Sequence, residues 1–200
     1  MLIALKSDFN DYYDHAFVAR WQERDVVYER LTRSGPNRVQ MYKMLNENGL
    51  RTPRHGTVRE LLPRLAKEST LGSIYPKIAE FVVHTDIYAH CGEGKVKVGF
   101  EQALNEHPND FAVEFLPTMA GLGAVSYRYL HVGFERFWLR YTSYEDWRSN
   151  VGEGMVELLV RANKNDVRQV YNPWLMRLAP LVAIDFLLIR GDMYAIDLNI

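Results

Sequence analysis

The apolar positions of the chain recur at two different periods, and the change between them organises the reading. From Asn37 the pattern is helical: Val39, Met41, Tyr42 and Leu45 form a one-sided apolar stripe, Asn37 can cap its start, and Gly49 suits its stop. A second helix is predicted from Thr57, where Glu60 three residues on completes a capping box. Pro63 falls inside that helix and is expected to kink or shorten it. Farther along the period falls to two. Ala79–His84 and Lys95–Val98 predict strands on either side of Cys91-Gly92-Glu93-Gly94, Glu101–His107 a short helix, and Phe111–Leu116 a third strand. Ala124–Val132 and Phe134–Tyr141 read as a hairpin turning at Gly133, rich in aromatic and β-branched residues. Asp166–Leu178 is helical in part, interrupted by Pro173, and Leu181–Arg190 and Met193–Leu198 close the chain as two strands around Gly191-Asp192. Residues 1–36 hold a short strand-like start, the polar-aromatic stretch Asp8–Arg20 and the turn signal Ser34-Gly35-Pro36. Helices come early and antiparallel hairpins late, which is the order of an α+β fold rather than an alternating parallel sheet.

Composition narrows the class. Two hundred residues make one large domain or two small ones, and 48% apolar content is enough to build a core and excludes wholesale disorder. Lys plus Arg total 24 against 25 Asp plus Glu, a net charge of −1, so a nucleic-acid-coating role is not indicated. The longest apolar run, Leu178–Ile189, is broken by Asp185 and falls short of the roughly 20 residues a bilayer span needs. Met1–Leu5 meets Lys6 and Asp8 too soon for a signal peptide. The expectation is a cytoplasmic protein without membrane association. A single cysteine, Cys91, excludes an internal disulfide and reads as a partly buried thiol rather than a nucleophile served by His84 or His90.

The candidate chemistry gathers at the end of the chain. Asp185 lies inside an apolar run, where an unpaired charge is costly, and Asp197 and Asn199 leave one face of the next strand. A three-residue loop Arg190-Gly191-Asp192 sets Ile189 against Met193 and Asp185 against Asp197, whereas a two-residue turn separates the two acids. Oxygen donors of this kind suit Mg²⁺. The alternative is that Asp185 pairs with an arginine and the others are solvated strand-end residues. Upstream stand Arg128, Arg140, Arg148 and Asn150, whose donors suit phosphate. Alternatively those arginines form surface ion pairs with Glu135, Glu145 or Asp146. Gly92-Glu93-Gly94-Lys95 lets backbone amides approach an anion, though it matches neither the Walker pattern nor the three-glycine fingerprint and also reads as a plain hairpin turn.

Taken in order, these features resemble the ATP-grasp superfamily from about Asn37 to Ile200. The helix ending at Gly49-Leu50-Arg51-Thr52-Pro53 is similar to the family's opening segment, and Phe81-Val82-Val83-His84 with its glycine loop to the strand and loop that cover the triphosphate. Ala112-Val113-Glu114-Phe115-Leu116 resembles the hinge that receives adenine. Ser126-Tyr127-Arg128, Arg140 and Trp147-Arg148-Ser149-Asn150 resemble its phosphate-contacting run, and Ile184-Asp185-Phe186 and Ile196-Asp197-Leu198-Asn199 its metal-binding strands. His84 and Arg38 stand where the family usually has lysine, and Asp where Glu is more usual. Only about 36 residues precede Asn37, and Ile200 comes before the family's usual Pro-Gly turn.

The resemblance implies two α+β lobes with antiparallel sheets and a nucleotide cleft between them: a short segment 1–36, a lobe at 37–115 and a lobe at 116–200 with the metal-binding hairpin. It implies an ATP- and Mg²⁺-dependent ligase of the carboxylate–amine or carboxylate–thiol type, acting on a small-molecule or peptide carboxylate through an acyl phosphate. In that scheme Arg128, Arg140 and Arg148 position the γ-phosphate and acyl phosphate, and Asn150 orients substrate or metal. Asp185, Asp197 and Asn199 hold Mg²⁺, while Arg38, His84, Gly92, Gly94, Lys95, Glu114 and Leu116 contact the nucleotide. Two alternatives stand beside it: a reduced relative that binds nucleotide or a protein partner without ligating, and a kinase on the same scaffold. Tyr12, Tyr13, Trp21 and Tyr28 offer an aromatic contact for a partner or a second copy, or else ordinary core packing.

Overall fold

The computed structural model describes residues 17–21, 24–28, 37–68, 79–89, 93–118, 123–132, 135–161 and 181–199. The expectations placed on Tyr12, Tyr13, Cys91, Gly92, Gly133 and 166–178 lie outside the described residues. Strands β1 (Phe17–Trp21) and β2 (Arg24–Tyr28) pair antiparallel as a two-stranded sheet of their own, beyond the strand-like start expected within residues 1–36.

Helix α1 (Arg38–Glu47) begins as its sequence predicts. Asn37 Oδ1 accepts from the Gln40 amide at 2.9 Å, and Gln40 Oε1 accepts from the Asn37 amide at 3.1 Å, a reciprocal capping box. The buried stripe differs by one position from the expected one. Arg38, Met41, Tyr42 and Leu45 keep helical spacing and are buried, and Val39, 45% exposed, is out of phase with them. After β3 (His55–Thr57), α2 (Val58–Glu68) opens on a second box: the Thr57 amide donates to Glu60 Oε2, and the Glu60 amide to Thr57 Oγ1. Pro63 sits inside α2 without ending it.

Strands β4 (Glu80–His84), β5 (Lys95–Gly99) and β6 (Phe111–Glu114), with helix α3 (Phe100–Glu106) between the last two, complete a four-stranded antiparallel sheet in the order β3-β6-β4-β5. Alternation along β4 sends Phe81 and Val83 into a core with Val58, Leu61, Leu62 and Leu65 of α2, and Val82 and His84 to the opposite face. The second sheet is five-stranded and antiparallel, ordered β11-β10-β7-β8-β9: β7 (Ala124–Val132), β8 (Glu135–Ser143), β9 (Gly154–Arg161), β10 (Leu181–Ile189) and β11 (Asp192–Asn199). Strand β9 is absent from the sequence reading, because Met155, Val156, Leu158 and Leu159 are apolar without alternating and all four are exposed.

A second core joins the sheets. Met41, Tyr42 and Leu45 of α1 pack with Phe111 and Val113 of the first sheet and with Tyr129, Ile184, Phe186 and Leu198 of the second. The molecule is therefore α+β, as its element order implies. No helix among the described residues is long and apolar enough to cross a membrane.

The final hairpin corrects one expectation while keeping its consequence. Ile189 pairs with Asp192, not Met193, so the connection is the two-residue turn Arg190-Gly191, with φ of 52° and 89°. Two successive left-handed residues are the mark of the tight turn that matches strand twist. Regular pairing from that turn would leave Asp197 one place out of line. A bulge next to Asp185 and Phe186 absorbs one residue of β11, and Asp185 faces Asp197 after all.

Candidate functional site

A cleft of about 450 Å³ lies between the two sheets. Val82, His84, Lys95 and Glu114 face it from the first sheet, and Ser126, Asp185, Leu187 and Asp197 from the second. Helix α1 adds Arg38 and Tyr42, residues 115–118 form one wall, and the segment after β8 adds Asp146, Trp147, Arg148, Ser149 and Asn150.

Its floor is one row across three strands. Arg128 pairs with Asp185 and Asp185 with Asp197, so all three side chains leave the same face of the sheet. Arg128 grips Asp185 through a fork, Nε to Oδ1 at 2.6 Å and Nη2 to Oδ2 at 2.8 Å. Burial pushes the Asp185 carboxyl up from its ordinary value, against the pull of that fork, and the fork in turn holds Arg128 charged in spite of burial. Asp197 is held from elsewhere: Arg38 Nη1 donates to its Oδ1 at 2.5 Å, and the Leu198 amide donates to the same oxygen at 3.0 Å. Burial acts to raise this acid too, but Arg38 and Lys95 outweigh it and keep it below the usual carboxylate range.

Around the floor, Lys95 and Arg148 stand among the acids Glu114, Glu145 and Asp146. Lys95 is depressed by burial and by Arg38 and Arg148, with Asp197 opposing. Its Nζ stands 5.8 Å from the Trp147 ring centre, and the Arg148 guanidinium carbon is 5.5 Å from the same ring. Trp147 meets Phe115 edge-on at 6.0 Å. Arg148 is oriented by Asp146, with Nε at 2.9 Å and Nη2 at 2.7 Å from its two oxygens. His84 is pushed down to about 3 by burial and by Arg38 and Lys95, so it is a neutral imidazole at neutral pH.

Of the residues singled out from sequence, Arg38, His84, Lys95, Glu114, Leu116, Arg148, Asn150, Asp185 and Asp197 line this cleft, and Arg128 reaches it through Asp185. Three do not come to it. Arg140 pairs in register with Tyr127 while Arg128 pairs with Leu139, so the two arginines leave opposite faces of the hairpin. Arg140 binds Glu157 instead, Nε to Oε2 at 2.6 Å. Asn199 pairs with Ala183 beyond the acid row and is not among the lining residues. Gly94 serves the turn: its carbonyl accepts from the Asp86 amide at 3.1 Å, and a Cβ there would meet Ala89 Cβ at 2.6 Å. Sequence reasoning passed over Tyr42, whose hydroxyl donates to the Ile196 carbonyl at 3.2 Å, and the Ser126–Ser149 hydroxyl contact at 2.5 Å. Tyr42 had a signal, since it lies four positions from Arg38 on the same helix face.

The acid row also bears on the magnesium that the resemblance implies. Two facing carboxylates supply the oxygen-only donors this ion takes, and the hydrogen bonds to Asp197 among the described residues all fall on Oδ1, leaving Oδ2 for a cation. The residues fit the ion as a two-carboxylate site. Among the described residues no three His, Cys, Asp or Glu gather, so the ion's remaining ligands would have to come from elsewhere.

No family model matches the sequence, and neither does any curated protein. Among solved structures the chain is similar to the ATP-grasp ligase PsnB complexed with minimal precursor, at 13% identity and a TM-score of 0.50 over 82% of this chain and 52% of that one. It is similar also to the macrocyclase MdnB from Microcystis aeruginosa MRC, at 16% identity and a TM-score of 0.50 over 82% and 51%. At such identities the likeness is one of fold, and the fold is ATP-grasp-like. The chain spans about half the length of these relatives.

Proposed function

We propose that the chain binds ATP with Mg²⁺ in the cleft between its sheets and is an ATP-dependent ligase of the carboxylate–amine or carboxylate–thiol type. The observation that carries this is the joint placement of Arg38, Lys95 and Arg148 beside the Asp185–Asp197 pair, in a cleft of an ATP-grasp-like fold. The lobes at 37–115 and 116–200 are then the two jaws, with residues 114–116 as hinge. The Glu114 and Phe115 amides are already spent on the Arg54 and Glu80 carbonyls, each at 2.9 Å, so of the hinge amides it is Leu116 that would meet adenine.

Lys95 and Arg148 hold the phosphates, Arg148 kept in aim by Asp146. Asp185 and Asp197 would hold Mg²⁺, which would supply charge neutralisation at the phosphates. The acceptor, a small-molecule or peptide carboxylate, attacks the γ-phosphorus through an oxygen, the bond from that phosphorus to the bridging oxygen breaks, and ADP leaves with its electron pair. An amine or thiol then attacks the acyl carbon, loses its proton, and expels phosphate. None of this needs a covalent enzyme intermediate, since positioning and charge stabilisation carry the reaction.

A second reading, nucleotide binding without ligation, is favoured by one feature: His84 is uncharged where the family resemblance implies lysine. The test is thermal stability with Mg²⁺-ATP, followed by ADP release with candidate acids and amines. At 100 times its dissociation constant ATP adds about 2.7 kcal/mol. No shift at millimolar ATP defeats both readings, and a shift without substrate-dependent ADP release favours binding alone.

A further inference from the structure

The two acids of the cleft are both neutralised, but by counterions of different kinds. Arg128 reaches Asp185 from the adjacent strand of the same sheet, through two hydrogen bonds. Arg38 comes from outside that sheet, at the first turn of α1, and meets Asp197 through one. The same guanidinium donates to the Ala89 carbonyl at 3.3 Å and to Met41 sulfur at 3.6 Å. The fork is built into the strand register; the Arg38 contact depends on where a single long side chain points.

Charge decides what such a site accepts. Each acid of the floor is matched by a guanidinium within hydrogen-bond distance, so while Arg38 stays on Asp197 that carboxylate has little charge left to attract a divalent ion. A triphosphate laid on the cleft competes with Asp197 for the Arg38 guanidinium, whose donors suit phosphate as they suit carboxylate.

We infer that Arg38 is a removable counterion that keeps the metal site shut until nucleotide draws it off Asp197, so that nucleotide binds first and the divalent cation second. The inference rests on the reading of the cleft as an ATP site. It makes metal and nucleotide affinities mutually dependent by the same factor, since each ligand prefers the state the other creates.

Mn²⁺ is a direct probe, counted by the loss of its free-ion electron paramagnetic resonance signal. Wild-type protein alone is expected to take up no Mn²⁺ below about millimolar concentration, and to bind it at least tenfold more tightly with a non-hydrolysable ATP analogue than the analogue does by itself. R38M, or R38Q should R38M fail to fold, is expected to bind Mn²⁺ without nucleotide at least tenfold more tightly than wild type, and adding D197N should abolish the gain. Equal Mn²⁺ binding by wild type and R38M in the absence of nucleotide overturns the inference, as does wild-type uptake that the analogue does not improve. Failure of the wild type to bind the analogue at all, measured by calorimetry, is a distinct result and overturns the ATP reading itself.

Discussion

Asp185 faces Asp197 across β10 and β11 only because a two-residue turn and a bulge offset each other, and Arg128 faces Asp185 in the same row. Two carboxylates side by side are tolerable when each has its own guanidinium. Asp185 is 6% exposed and depends on Arg128 for both oxygens. Removing one partner of such a pair strands a buried charge. Arg128→Met is therefore expected to cost about 3–5 kcal/mol in urea unfolding, whereas Arg128→Met with Asp185→Leu recovers most of it. A single substitution costing under about 1 kcal/mol would show that the fork contributes nothing.

The same row marks the limit of what the sequence discloses. The cap at Asn37 and the capping box at Thr57 are written in nearby side chains, and both form, the first as a full box with Gln40. The α1 stripe is legible except that Arg38 takes the buried place expected of Val39, because an arginine enters a buried face only when a partner such as Asp197 waits there, 159 residues away. The bulge had no local signal. Strand β9 was hidden because its apolar residues do not alternate, and the opposite facing of Arg128 and Arg140 follows from hairpin register rather than from either residue's neighbours.

That facing gives a sharp contrast. Arg148 lines the cleft and Arg140 does not. Arg148→Met is expected to weaken ATP binding about tenfold or more in calorimetry. Arg140→Met should leave the affinity within about twofold, and its lost ion pair with Glu157, partly exposed on both sides, should change stability by less than about 1 kcal/mol. A comparable affinity loss in both variants would place Arg140 in the site after all.

Gly94 tests the turn that precedes Lys95. Its φ of 59° favours glycine, and a Cβ would come within 2.6 Å of Ala89 Cβ and 2.9 Å of Asp86 Cβ. Gly94→Ala is expected to cost about 1–3 kcal/mol and to weaken ATP binding by displacing Lys95. Thermal unfolding and calorimetry on one sample separate the two effects. Unchanged stability would mean that the turn relaxes freely, and the link to Lys95 would fail with it.

His84 makes the stability of the fold depend on acid. In the unfolded chain its imidazole takes up a proton near its ordinary value of 6.5; in the folded chain it does so only near 3, because burial and the cations Arg38 and Lys95 disfavour the charged form. Between those values the unfolded state binds the extra proton, so each unit of acidification costs roughly 1.4 kcal/mol from this residue. The contribution is fully present above pH 6.5 and lost as pH falls toward 3. His55, also depressed by burial, acts in the same direction. Urea unfolding from pH 7.5 to 4.5 should therefore show falling stability, with a slope that flattens in His84→Gln. A wild-type profile flat over that range, or one that His84→Gln leaves just as steep, would mean that the imidazole is not held neutral in the fold.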